Sequence, residues 1–306
     1  EPVREILKRR MNNTPERNYD TSSISYRAAE FDALSGMAAV SGTQYDDFKR
    51  IATDISLYNI PFVKEISLIE KIREVQVLLG FSRIEPFPAS MIESHSSNFV
   101  PVKEKDTKWY PGYNVYGEGI FIEFDEDAIN RWRSGNAILE KRVKTLQDNY
   151  NNSFLGRQNP RKISGKFLLL HTISHLLIKQ LSFECGYNIS SLKERIYCGE
   201  EADGKEMAAI LIYTASGDSE GTLGGLVRQG HHDTFPGIYK KAIESAVSCS
   251  NDPVCTMSSG QGRDSLNLAA CYSCALLPET CCEEFNVFLD RGVVVGTYEH
   301  QKLGFF

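Results

Sequence analysis

Between residues 166 and 182 the apolar side chains Leu168, Leu169, Leu170, Ile173, Leu176, Leu177, Ile178 and Leu181 cover most of the circumference of a helix. A helix apolar nearly all round has no face to give to water, so it must run through the centre of a core. The rest of the fold has to be built around it. The segment is too short and too interrupted to cross a bilayer, and no apolar run in the chain reaches the roughly 18 residues a membrane span needs. Across 306 residues, 42% are hydrophobic and 24% charged, which excludes a disordered chain, a collagen-like fibre and a coiled coil. The length admits one large domain or two smaller ones. The chain opens Glu-Pro-Val-Arg-Glu, with neither an initiator Met nor an apolar leader, and reads as a fragment or processed piece of something longer.

The cysteines supply the second constraint. Of eight, Cys185 and Cys198 stand alone, while Cys249, Cys255, Cys271, Cys274, Cys281 and Cys282 fall within 34 residues. In a chain without a secretory leader, expected to be cytoplasmic, such a cluster points to metal rather than to disulfides. The pattern is C-x5-C, fifteen residues, then C-x2-C. C-x2-C lets two thiolates reach one tetrahedral zinc ion from a single tight turn. Asp252-Pro253 is a turn signal that can fold the wider pair together. The expected ligands are Cys249, Cys255, Cys271 and Cys274, with Cys282 the alternative. Four cysteines leave no position for a catalytic water, so the zinc would be structural.

Periodicity outlines the remainder. Residues 1–30 are polar and turn-rich and read as an arm or connector, with a turn or two of helix at 4–10. Apolar residues three and four apart predict helices over 45–58 and 68–81, and 84–108 reads as a long loop. Near-alternation around Gly117-Glu118-Gly119 predicts a β-hairpin over 113–124. Asp125 or Asp127 is placed to cap a helix through Trp132. Further helices are expected at 137–146, from about 223, at 236–247 and at 266–274, with a buried strand at 207–213. A soft boundary within 150–161 divides a helix and hairpin region (31–155) from a zinc-binding C-terminal domain (156–306). The class is α+β and helix-rich, with a buried central helix, a small sheet or hairpin and a C-terminal four-cysteine zinc site.

Charge is uneven. Nine basic residues lie between Arg131 and Lys166 against only Glu140 and Asp148, a local balance of +7 in a chain of net −6. Interleaved with Trp132, Tyr150 and Phe154, this stretch could touch a polyanion, although most charge runs are solvated faces. Candidate nucleic-acid contacts are Arg131, Arg133, Lys141, Arg142, Lys144, Arg161 and Lys162.

Two further motifs weigh less. His171 and His175 stand four apart on one helix, as in zinc proteases, but position 172 is Thr where that motif carries the Glu base. Buried structural histidines are the favoured reading, ahead of a functional surface pair or a metal. The glycine-rich run 214–225 follows a strand, yet Asp218 and Glu220 would repel a phosphate and no G-x4-G-K-[ST] string occurs. A tight turn with Asp218 or Ser219 capping the next helix is preferred. A hydrolase or nuclease site built from Asp218, Glu220 and His171/His175 is the alternative.

Longer strings are more specific. HTISHLLIKQLSFECGY from His171, AILIYTASGDSEGTLGGLVRQG from Ala209, CSNDPVC from Cys249 and NLAACYSCALLPETCCEEFNVFLDR from Asn267 resemble the C-terminal domain of the DrmB family, a component of the DISARM antiphage defence system. More distantly, the stretch is similar to the zinc-binding domain of the MrfA and MrfB repair proteins. The resemblance covers about 166–296, and is thinner in EKIREVQVLLGFSRI and YGEGIFIEFDE. It implies a non-catalytic zinc-binding module that docks onto a superfamily-two, DrmA-like DNA helicase and assists DNA binding; no membrane partner is expected, because the apolar runs are too short to span one. The family cysteines carry onto Cys249, Cys255, Cys271 and Cys274, and its histidines onto His171 and His175.

Overall fold

The computed structural model describes residues 19–38, 47–82, 99–103, 107, 109–200, 202, 204–214 and 225–306. The central helix, expected over 166–182, is α5 (Gly165–Cys185); the helices before it are α1 (Tyr19–Ser35), α2 (Glu126–Arg133), α3 (Ala137–Asn152) and α4 (Phe154–Gln158). Ser164 caps the start of α5 by accepting from the Phe167 amide, and Gly186, at φ 69°, ends it in the left-handed conformation that favours glycine. Every residue from Leu168 to Ile178 is buried. The predicted core helix is therefore the core helix.

It lies on a five-stranded sheet in the order β1-β2-β5-β7-β6: β1 Phe48–Ala52, β2 Val63–Val77, β5 Gly112–Phe124, β6 Leu192–Gly199 and β7 Met207–Thr214. All the pairings are antiparallel. β3 (Gly80–Ser82) and β4 (Phe99–Pro101) form a separate two-stranded ribbon. One sheet face meets the α5 leucines through Ile66, Leu68, Ile120, Ile122, Ile196, Ile210 and Ile212. The other packs Ile69, Phe121, Tyr197, Ala209 and Leu211 under Phe31 and Leu34 of α1. β7 is buried along its whole length because both faces are covered. Helices α6 (Gly225–Gln229), α7 (Phe235–Ser245) and α8 (Gly292–Val295) follow, and α5 packs against all three.

Several expectations are corrected. Residues 48–52 and 68–77, expected within helices over 45–58 and 68–81, lie instead in strands β1 and β2. β2 carries a register shift between Ile69 and Ile72, and β1 one between Lys49 and Arg50. A bulge adds a residue and breaks strict alternation, which leaves three- and four-residue spacings that mimic a helix. Residues 112–124 form one continuous strand rather than a hairpin. The glycines there answer a close neighbour: a Cβ on Gly117 would stand 1.6 Å from the Thr214 carbonyl oxygen of β7. The segment 266–274 is a series of turns, not a helix. Residues 19–30, expected in a polar arm, belong to α1, which covers one face of the sheet; 4–10 lies outside the described residues. Much of the stretch 150–161, where a soft boundary is expected, is the end of α3 and α4. The sheet draws β1, β2 and β5 from before 150–161 and β6 and β7 from after it, and one core spans both sides.

Candidate metal centre

The C-x5-C and C-x2-C turns meet. The sulfurs of Cys249, Cys255, Cys271 and Cys274 all lie within 4.8 Å of one another. Cys249 Sγ is 3.5 Å from Cys271 Sγ, and Cys274 Sγ is 3.8 Å from both Cys255 Sγ and Cys271 Sγ. A tetrahedron of sulfurs with zinc–sulfur bonds of about 2.3 Å has edges of about 3.8 Å. The donor set and its spacing fit zinc, and none of the eight cysteines is in a disulfide.

The loops are held by more than sulfur. Asp252 accepts from the Cys249 amide (2.8 Å) and from Thr256 N (3.1 Å) and Oγ1 (2.8 Å), closing the C-x5-C turn on itself. Arg291, itself buried, donates to Asp252, Thr256 and the Ala246 carbonyl. The Asn251 amide donates to Cys249 Sγ (3.4 Å) and its side chain to Cys271 Sγ (3.3 Å). Burial works against the Cys271 thiolate, but the Asn251 side chain and the amides around it outweigh that and bring its pKa down to about 6. Lys179 on α5 donates to the Ser273 carbonyl at 2.9 Å, tying the C-x2-C turn to the central helix.

Cys282, the alternative ligand, is elsewhere. It joins His171, His175 and Glu194 in a second cluster whose ligand atoms also lie within 4.8 Å of one another. His171 and His175 are 0% exposed, as the structural reading expects. Hydrolysis at this pair would require water to reach them. Asp218 and Glu220, with the expected cap at 218–219, lie outside the described residues. Glu194 escaped the sequence reading, although a signal was present: in β6 it shares the inward phase with Leu192 and Ile196, an acid where an apolar residue belongs.

The basic candidates divide. Arg142 forms a two-pronged pair with buried Asp290 (2.7 and 2.8 Å). Arg161 does the same with Glu284 (2.8 and 2.6 Å) while lying over the Phe288 ring. Arg133 bonds Glu200 and Asn130. Lys166, counted in the same basic run, is fully buried against Glu126 and the Gly199 carbonyl. Arg131, Lys141, Lys144 and Lys162 remain exposed, Lys141 and Lys144 together on α3.

Residues 173–275 match the family model of the MrfA Zn-binding domain, a span that contains all four clustered cysteines and excludes His171 and Cys282. Among curated proteins, the DISARM protein DrmB of Bacillus paralicheniformis is 38% identical over 251 residues, 80% of this chain. The chain spans 43% of that relative's length. No helix among the described residues is long and apolar enough to cross a membrane. The cofactor is zinc, and the chain is similar along most of its length to the DISARM protein DrmB, with a MrfA-type zinc-binding segment at its C-terminal side.

Proposed function

We propose that this chain is a non-catalytic, zinc-stapled module of a DISARM-like antiphage defence assembly, which docks onto a DrmA-like DNA helicase subunit and adds contacts to DNA. One observation carries the reading: the four-cysteine cluster is closed, with every tetrahedral position filled by protein sulfur, in a chain similar to DrmB. A closed site contributes folding free energy and shapes loops; it has no open position for a reacting ligand. The loops so shaped expose Val247, Val254, Met257 and Tyr272 to solvent, side chains suited to a protein partner. Arg131, Lys141, Lys144 and Lys162 supply the phosphate contacts.

Affinity capture of the tagged chain from its host, with and without nuclease, tests this. The expected result is a large helicase recovered equally in both conditions. Loss of that partner after nuclease makes DNA the bridge and replaces docking with direct DNA binding. Absence of a helicase in both conditions overturns the reading.

A further inference from the structure

Besides the four-cysteine centre the chain contains a second set of metal-ligating atoms, and its geometry is hard to reconcile with hydrogen bonding alone. His171 Nε2 lies 3.2 Å from Cys282 Sγ and 3.1 Å from Glu194 Oε1, and His175 Nε2 lies 3.4 Å from the same carboxylate oxygen. Tetrahedral zinc with bonds of about 2.0–2.3 Å to nitrogen, oxygen and sulfur has edges of about 3.4–3.6 Å, close to these separations. All four residues are buried.

His175 supplies the decisive detail. Its Nδ1 is 2.8 Å from the Ala275 carbonyl oxygen, which can only accept, so Nδ1 carries the proton. Nε2 of the neutral ring then presents its lone pair towards an anionic oxygen. It makes no aligned hydrogen bond, and it is among the few buried side-chain polar atoms of the described residues without a hydrogen-bond partner. A polar atom in that position is costly unless a proton or a metal ion lies between the two lone pairs, and the absence of an aligned hydrogen bond favours the metal. A carbonyl on the far nitrogen is also the usual way in which a metal-bound imidazole is oriented.

The sulfur is prepared in the same way. Cys282 Sγ accepts from the Glu284 and Asn286 amides, both at 3.3 Å. The first of these repeats the i+2 amide-to-sulfur bond that Asn251 makes to Cys249 in the four-cysteine centre. The chain curls around the sulfur through positive φ at Phe285 (53°), Asn286 (58°) and Phe288 (65°), conformations that cost energy in a non-glycine residue and concentrate at functional sites. Glu194 is held in place by Ser174 Oγ, which donates to Oε2, and by the Glu283 amide, which donates at 3.2 Å to Oε1, the oxygen that faces the imidazoles.

We infer that His171, His175, Glu194 and Cys282 hold a second structural zinc ion, buried between the central helix, strand β6 and the C-terminal loop. Two imidazoles, a carboxylate and a thiolate satisfy a borderline-soft divalent cation and fill its four positions, so this site is closed as well. Through Ala275, which follows Cys274 directly, His175 links the second site to the first. The inference stands independently of docking and of DNA.

Elemental mass spectrometry on the purified, zinc-saturated and dialysed chain is expected to count two zinc ions per chain. His175→Ala and Cys282→Ala each lower the count to one, and so does Cys271→Ser at the other centre. A wild-type count of one that Cys271→Ser abolishes overturns the second site, as does a count of two that neither His175→Ala nor Cys282→Ala changes. Zinc X-ray absorption on the wild-type chain needs no variant to fold. Two loaded sites share five sulfur and three nitrogen or oxygen ligands, whereas a purely sulfur shell overturns the proposal.

Discussion

Asp252 carries more of the first zinc centre than its place between two cysteines suggests. Asn at this position keeps the shape but removes the charge that faces Arg291, leaving a buried guanidinium without its counter-ion, a loss of about 3 kcal/mol. Thermal unfolding of Asp252→Asn should show that loss with zinc still bound, because all four sulfurs remain. Cys271→Ser should lower both zinc content and melting temperature; if neither changes, the ligand set is wrong. The Asp252 carboxyl also predicts a pH dependence. Burial raises its pKa, but the Thr256 and Arg291 side chains and the Cys249 amide outweigh burial and hold it below the ordinary range. A carboxyl whose folded pKa is depressed stabilises the fold above its unfolded value of about 3.9, and that contribution is lost as pH falls through the folded pKa. The stability gap between wild type and Asp252→Asn should therefore be full near neutrality and close on acidification. The four-cysteine cluster was legible because the chemistry of a zinc site favours such spacings. Glu194 was not, because its partners lie on another element and in a loop that begins far along the chain, with Glu283 89 residues further on.

At the scale of elements, legibility followed the regularity of the pattern. The α5 leucines, the apolar run of β7 and the Asp125 cap of α2, which accepts from the Ala128 amide, could be read because each signal is local. β2 could not. Val63, Ile66, Leu68, Ile69 and Ile72 mix one-, two- and three-residue steps, since both faces are apolar and register shifts reset the phase. The glycines of β5 misled for a related reason: glycine marks a turn or a close backbone approach, and only the partner strand distinguishes them. Gly117→Ala is the corresponding test. Its new methyl would collide with the Thr214 carbonyl, so β5 and β7 must separate. We expect a destabilisation of about 1–3 kcal/mol, measured by denaturant unfolding. A hairpin turn at the surface would instead tolerate an alanine with a smaller change. The turns at 266–274 were misread for lack of any apolar period specific to metal loops; their conformation is set by cysteines and by Asn267, which bonds Leu289 N and the Asn286 carbonyl.

At the scale of the whole molecule, the basic segment separates two quantities that sequence alone merges, charge and availability. Of the seven candidates for nucleic-acid contact, Arg133, Arg142 and Arg161 hold parts of the fold together, whereas Lys141 and Lys144 project from α3 into solvent. Two classes of variant should therefore behave differently. Arg142→Ala strands Asp290, which is fully buried, and should cost about 3–5 kcal/mol of stability, because the uncompensated carboxylate remains in the core. Any loss of DNA binding in that variant should track its loss of folded protein. Lys141→Ala with Lys144→Ala removes two exposed charges and should leave the melting temperature nearly unchanged. If these lysines touch phosphate, the double variant should bind DNA more weakly at low salt. The plot of log affinity against log salt should also flatten, by about 0.7–0.9 for each phosphate that a lysine had neutralised. An unchanged slope at unchanged stability would remove α3 from the proposed DNA contacts and leave only the docking half of the proposal, at the zinc loops, to be tested.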